Sequence, residues 1–303
     1  MHPLALAFMS FTSPSFWLNF LTLAFLAFGI VLALRKPAER SAPYAAVIRF
    51  APLFFSLPLA LFGMQHFAFQ SDVVQAVPAF MPKPMFWEWL VGAGLIAASL
   101  SIMTGKLAQW AALLLGIMFL FFVALIWIPN FSQSPTDRLS YSLFGRDLAL
   151  SGASLCLAGT LMARTHARLA YWLRLIGRCF FAVPMIVFGV EHFLYPHTVP
   201  GVPLDKPMPA WLLAPVAWSW LTGAILLIAG FAILLNRRGS LAAVIIGITY
   251  LVLVLVIYIP MELIHPSVAI SGELDFVTDT LIFAGAALFV ARSLSVPDSG
   301  RTT

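Results

Sequence analysis

Two histidines stand at the same place in two copies of one phrase. Residues 54–67 read Phe54-Phe55-Ser-Leu-Pro58-Leu-Ala-Leu-Phe62-Gly63-Met-Gln65-His66-Phe67, and residues 180–193 read Phe180-Phe181-Ala-Val-Pro184-Met-Ile-Val-Phe188-Gly189-Val-Glu191-His192-Phe193. Proline, phenylalanine and histidine recur at i, i+4 and i+8, which places them in one stripe along a helix face. An imidazole with an ordinary pKa of about 6.5 exchanges protons at neutral pH and hydrogen-bonds the polar head of a ligand. An ionisable side chain inside a membrane helix is costly without a use. His66 and His192 are therefore the first candidates for binding or proton handling.

Two carboxylates match them in depth. Phe144-x-x-Asp147 returns as Phe276-x-x-Asp279. A carboxylate facing an imidazole fixes its tautomer and raises its pKa, so each His–Asp pair would relay protons or orient a ligand; the same pair would also serve as a clamp between helices. The copies then diverge. Gln65 is matched by Glu191, Glu88 by Ser219 and Arg146 by Thr278, so two sites that began alike acquire different charges. Trp87, Trp89, Trp211, Trp218 and Trp220 gather where helices re-enter the membrane. They suit an aromatic belt, and Trp87 and Trp218 also suit a flat wall for a planar amphiphile. No H-E-x-x-H spacing and no glycine-rich phosphate loop occurs, so no metal site is expected. Cys156 and Cys179 form no C-x-x-C and are read as small apolar packing residues.

The elements that must carry these residues are apolar runs of membrane-spanning length. With 61% hydrophobic and 10% charged residues and a mean hydropathy of +0.97, the composition excludes a soluble domain. At about 20 residues per crossing, the runs at 15–34, 50–69, 86–104, 108–129, 144–163, 178–196, 211–235, 240–262 and 275–292 predict an all-α polytopic protein of about nine transmembrane helices. The echo continues through all of them. Trp87-x-Trp89-Leu90-x-Gly92-Ala93 returns as Trp218-x-Trp220-Leu221-x-Gly223-Ala224, and Ile128-Pro129 returns as Ile259-Pro260. The chain divides into an N-terminal helix and cytoplasmic loop (1–48), a first four-helix repeat (49–164), and a linker, second four-helix repeat and short tail (165–303). Four helices per unit give both repeats one orientation, so they are parallel and related by an axis along the membrane normal. The basic stretch from Arg164 to Arg178 is predicted as the linker.

Most lysines and arginines, from Arg35, Lys36, Arg40 and Arg49 through Arg237 and Arg238 to Arg292 and Arg301, fall on one side. Lys83, Arg138, Arg146 and Lys206 fall on the other. The positive-inside rule makes the first side cytoplasmic, with the N-terminus outside and the C-terminus inside, in what is expected to be a bacterial inner membrane. The charge marks topology and gives no reason to expect a nucleic acid; the natural partner is membrane lipid. The cytoplasmic turns inside each repeat are minimal and the outer connections are long, which makes the outer face the working face.

Gly189-x-x-His192-Phe193, the loop Val77-Pro78…Met81-Pro82…Phe86-Trp87 and the Trp-Leu-x-Gly helix after it resemble the DoxX/DoxD-like family across both repeats. That resemblance implies four-helix membrane units associated with redox assemblies, including thiosulfate–quinone oxidoreductase subunits. Smaller members carry a glutamate just after the glycine of the second helix; this chain has Gly92-Ala93-Gly94-Leu95 and Gly223-Ala224-Ile225-Leu226 instead. The function expected is a redox-associated subunit that binds a quinone or another small amphiphile from the outer leaflet. His66 and His192 would hold the head, Asp147 and Asp279 would orient them, Glu191 would accept a proton, Arg146 and Glu88 would flank the sites, and a partner subunit would supply electrons. A small-molecule transporter and a non-catalytic scaffold are the alternatives.

Overall fold

The computed structural model describes residues 14–35, 44–134, 136–267, 270 and 272–295. Lys36, Arg40 and Arg301 of the topology argument lie outside the described residues. The described chain is helical, with one isolated β-bridge between Thr198 and Pro207. Its long helices are α1 (Pro14–Arg35), α2 (Ala51–Ala68), α3 (Pro84–Thr104), α4 (Ala108–Phe122), α5 (Arg138–Met162), α6 (Ala167–Leu194), α7 (Pro215–Leu234), α8 (Gly239–Leu253) and α9 (Glu273–Ser295). Eight of them are long and apolar enough to cross a membrane, as expected of an all-α polytopic membrane protein. The exception is α5. It has the length, but Arg138, Arg146, Asp147 and several serines dilute its apolar character. It tolerates them because protein surrounds it: Ala149–Gly159 are buried without a break.

The repeat is visible in the backbone. Left-handed residues Lys83, Gly105 and Leu107 in repeat one return as Ala214, Asn236 and Arg238 in repeat two. After α4 the chain makes a π-helical turn, Val123–Trp127, before Ile128–Gln133. After α8 it makes another, Val254–Tyr258, before Ile259–Ile264. Each π turn ends just before a proline, Pro129 or Pro260, which has no N–H to continue the α ladder.

The helices pack in a closed sequence, each of α2 to α9 against the next, with α9 returning to α2 and α5 touching α9 across the middle. The first helix of each repeat thus leans on the fourth helix of the other. Glycines allow it. A Cβ on Gly152 of α5 would sit 2.5 Å from Gly177 O and 2.6 Å from Phe181 N of α6; one on Gly285 of α9 would sit 2.5 Å from Phe55 N of α2. The Phe-Phe pair of the repeated phrase is where the other repeat's helix lands. Helix α1 lies over α2, with Gly29 against Leu53 and Met103.

Two boundaries depart from expectation. The linker is only Ala163–His166, because α6 begins at Ala167 rather than near 178. Ala170, Leu173 and Gly177 recur at helical spacing and are buried, so the stretch is the first half of a helix packed against the bundle, with Arg168 exposed and Arg174 half-buried, donating to Ser293 O of α9. At the other end, α5 starts at Arg138 rather than near 144 because Asp137 caps it, accepting from the backbone N–H groups of Leu139 and Ser140. The hydrogen bond from the Ser140 hydroxyl holds the Asp137 carboxyl below its ordinary value.

Candidate functional site

His66 and His192, near the ends of α2 and α6, mark one end of the bundle; the arginine-rich turns mark the other. Each imidazole donates from Nδ1 to a carbonyl one turn back, His66 to Phe62 O (2.8 Å) and His192 to Phe188 O (2.6 Å). This leaves Nε2 of each ring as an acceptor. The glycine of the repeated Trp-Leu-x-Gly helix lies against each ring's root: a Cβ on Gly92 would be 2.7 Å from His66 Cβ, and one on Gly223 would be 2.8 Å from His192 Cβ.

The two copies then part. The interval from His66 to the left-handed Lys83 is five residues shorter than the interval from His192 to Ala214. The extra length in repeat two turns back into its own bundle, where Val199–Pro203 are buried. Four side chains hold that loop by its backbone. Gly201 N–H donates to His192 Nε2 (2.9 Å), Ser219 Oγ donates to Thr198 O (3.3 Å), Tyr258 OH donates to Pro200 O (2.9 Å) and Tyr250 OH donates to Gly201 O (3.5 Å). Outside, the loop is latched to both fourth helices. Asp205 pairs with Arg138 of α5, and Lys206 pairs with Glu273 of α9 at 2.8 Å. Arg138 also holds Glu191 (3.1 Å) and lies over the Tyr195 ring.

In repeat one the loop between α2 and α3 stays at the surface, with Gln75, Ala76, Phe80, Pro82 and Lys83 exposed. His66 is half-buried. Glu88, the counterpart of Ser219, is only 2% exposed, and neither carboxylate oxygen has a hydrogen-bond partner among the described residues. Glu88 lies one helical turn from Gly92 on the face of α3 that meets α2. Tyr250 and Tyr258 are replaced by Phe119 and Trp127. Under α1, against the middle of α2 and α3, lies an apolar groove of about 270 Å³, lined by Leu21, Phe25, Phe28, Met64, Ile96 and Leu100 among others. Among the described residues, repeat two has no helix corresponding to α1.

The expected pairing of each histidine with the aspartate of its own repeat is not made. Asp147 (1% exposed) accepts from Trp127 Nε1 at 2.7 Å and from Arg146 Nε at 3.1 Å. Arg146 reaches across to Asp279, 3.4–3.5 Å from both its oxygens. The interleaved packing is the reason: α2 meets α9 rather than α5, so His66 and Asp147 sit on helices that are not neighbours. Asp147, Arg146 and Asp279 form one charged cluster where the two fourth helices touch. Gln65 donates to Asp275 of α9 (2.5 Å), so positions 65 and 191 both bond across the repeat boundary. Trp87 donates to Pro82 O (2.9 Å) and stands at the mouth of repeat one, while Trp218 packs on the core of repeat two. Trp89, Trp211 and Trp220 are exposed, as a belt requires.

Residue patterns did not reveal Arg138, Ser219, Tyr250, Tyr258 or the Thr198–Gly201 loop as parts of this arrangement. The signal that could have found them is the unequal spacing after the two histidines. Among the described residues no cluster of three metal-ligating side chains occurs. No protein-family model matches the chain, and no curated protein or solved structure matches it either.

Proposed function

We propose that this membrane protein binds a small amphiphile of the quinone class at the histidine end of repeat one and serves a membrane redox reaction. The observation that carries the reading is the contrast between equivalent positions. In repeat two, His192 and Ser219 are filled by the chain's own loop; in repeat one, His66 and the buried Glu88 face inward with no loop to meet them. Buried polar atoms are nearly always satisfied, and one that is not calls for a partner. The apolar groove beneath α1 reaches Met64 of α2, two residues before His66, and is assigned to the tail of such a ligand. The resemblance of both repeats to the DoxX/DoxD-like family points to the same chemistry. The gathered side chains exchange protons rather than electrons, so a partner subunit supplies the electrons. By the positive-inside rule the basic end is cytoplasmic in a bacterial inner membrane, and the ligand enters from the outer leaflet.

Titrating the full-length protein in lipid nanodiscs with a decyl benzoquinone, followed by tryptophan quenching, tests this. His66→Ala weakens binding about tenfold, the worth of one good hydrogen bond, and Ala24→Trp, which fills the groove, weakens it as well. His192→Ala leaves the affinity unchanged but exposes the 198–206 loop to protease. Unchanged affinity in His66→Ala would end the reading and leave a scaffold.

A further inference from the structure

One outward face of the bundle is covered in repeat one and bare in repeat two. In the register of the repeated phrase, Leu53, Leu57, Leu61 and Met64 of α2 correspond to Cys179, Val183, Val187 and Val190 of α6. Helix α1 lies over the first set. Phe25 and Leu26 pack against the cluster of Leu53, Leu57 and Met103, and Leu18 packs with Leu61. The three leucines of α2 are thereby no more than 6% exposed. Among the described residues no helix lies over the second set, and Val183, Val187 and Val190 are 43–46% exposed.

The bare stripe has the spacing and the side chains of a helix–helix contact. Ile176, Cys179, Val183, Val187 and Val190 follow at intervals of three, four, four and three residues, so they hold one face of α6 for about four turns. That alternation is the seam along which two helices cross at about +20°. The side chains are also short. Other outward faces carry longer ones, such as Leu90 and Leu100 on α3, Leu114 and Phe121 on α4, and Ile228 and Phe231 on α7. In lipid no hydrophobic drive joins two helices; close packing does, and small side chains permit it. Valine enters such a contact with χ1 already restricted, so it loses little freedom there.

The occupant follows from what stands beside α6. A lone helix such as α1 is held well by long leucines. Helix α6 is flanked by its own α5 and α7, and a second helix flanked in the same way comes close only if both bring short side chains. A second copy of this chain brings the same valines. Two copies inserted with one topology share a two-fold axis along the membrane normal, which sets α6 parallel to α6 with each valine opposite its own counterpart. Pairs of parallel helices favour β-branched residues at such positions.

We propose that the protein pairs with a second copy of itself in the plane of the membrane, through this stripe of α6, with Val183, Val187 and Val190 at the two-fold contact. Trp172 and Arg168 stand exposed further along the same face, so the two helices diverge toward the basic end.

The test uses the full-length protein in its own membrane, on a Cys179→Ser background; Cys156 is fully buried and stays. Copper phenanthroline joins two copies through Val183→Cys, Val187→Cys or Val190→Cys. It does not join them through Leu114→Cys or Ile228→Cys, which are more exposed, at 65% and 70%, but stand on other helices. Photobleaching of singly labelled protein in liposomes counts two copies per spot. Val183→Phe with Val187→Phe overpacks the seam and weakens association about tenfold. Its melting temperature in detergent stays that of the single wild-type chain, because both positions are bare there. Single copies at every protein-to-lipid ratio, with no joining at the three valine positions, overturn the proposal and leave the face to lipid. A dimer joined through Leu114→Cys or Ile228→Cys overturns it in favour of another face. A photo-crosslinker carried on Val187→Cys that captures a different protein in place of a second copy overturns it in favour of a partner's helix.

Discussion

Arg146 holds the charge balance at the middle of the molecule. One guanidinium faces two carboxylates, Asp147 and Asp279, that are almost fully buried. Repeat two has Thr278 in its place, so without Arg146 the two aspartates would meet with no cation between them. Removing one partner of a buried ion pair costs about 3–5 kcal/mol, because the other charge is left uncompensated. Arg146 keeps a quarter of its side chain exposed, which puts Arg146→Met near the lower end, about 3 kcal/mol. Thermal unfolding in detergent measures this, and adding Asp147→Asn and Asp279→Asn to Arg146→Met restores most of the loss. A melting temperature unchanged by Arg146→Met would show that the cluster holds nothing together. The sequence made each of these residues visible but not their grouping. Depth along a helix can be counted from sequence; which helix stands opposite cannot, and that is why the aspartates were matched to histidines instead of to one another.

Among the elements, the loop after α6 separates the two repeats most. Its Gly201 sits at φ +132°, where a Cβ would come within 3.3 Å of the Tyr258 hydroxyl that holds the neighbouring carbonyl. That region of backbone space costs an L side chain about 1–3 kcal/mol. Gly201→Ala therefore loosens the loop: hydrogen exchange at 198–206 quickens and the protein melts earlier, while ligand affinity at repeat one stays as it was. Equal exchange in the two proteins would show that the loop is not held by this conformation. The π turns before Pro129 and Pro260 act on the same scale, since they end at Trp127 and Tyr258, which bond to Asp147 and to the loop. The prolines were legible as a repeated pair. The extra residue each turn absorbs was not, because hydropathy does not distinguish a π turn from an α turn. The amphipathic start of α6 was read as linker for a related reason: its arginines lower hydropathy while its buried face, Ala170, Leu173 and Gly177, keeps the helical period.

For the whole molecule, the sequence disclosed the number of helices, the duplication and the crowding of polar groups at one end, because each of these is written in local runs. A cysteine placed at Thr165, in the short linker at the basic end, should react with a membrane-impermeant maleimide only after the membrane is opened; labelling in intact cells would reverse the orientation proposed. What local runs do not contain is partnership between helices far apart in the chain. The interleaving of α2 with α9 and of α5 with α6 has a consequence for how the protein is made. As the chain leaves the ribosome, α6 emerges directly after its partner α5, and those two can join at once. Helix α2 enters the bilayer early, and α9 is the last of the described helices to follow it. Until α9 is made, the face of α2 that carries Phe54 and Phe55 is therefore covered by lipid or by a helper protein, and repeat one cannot close until α9 arrives.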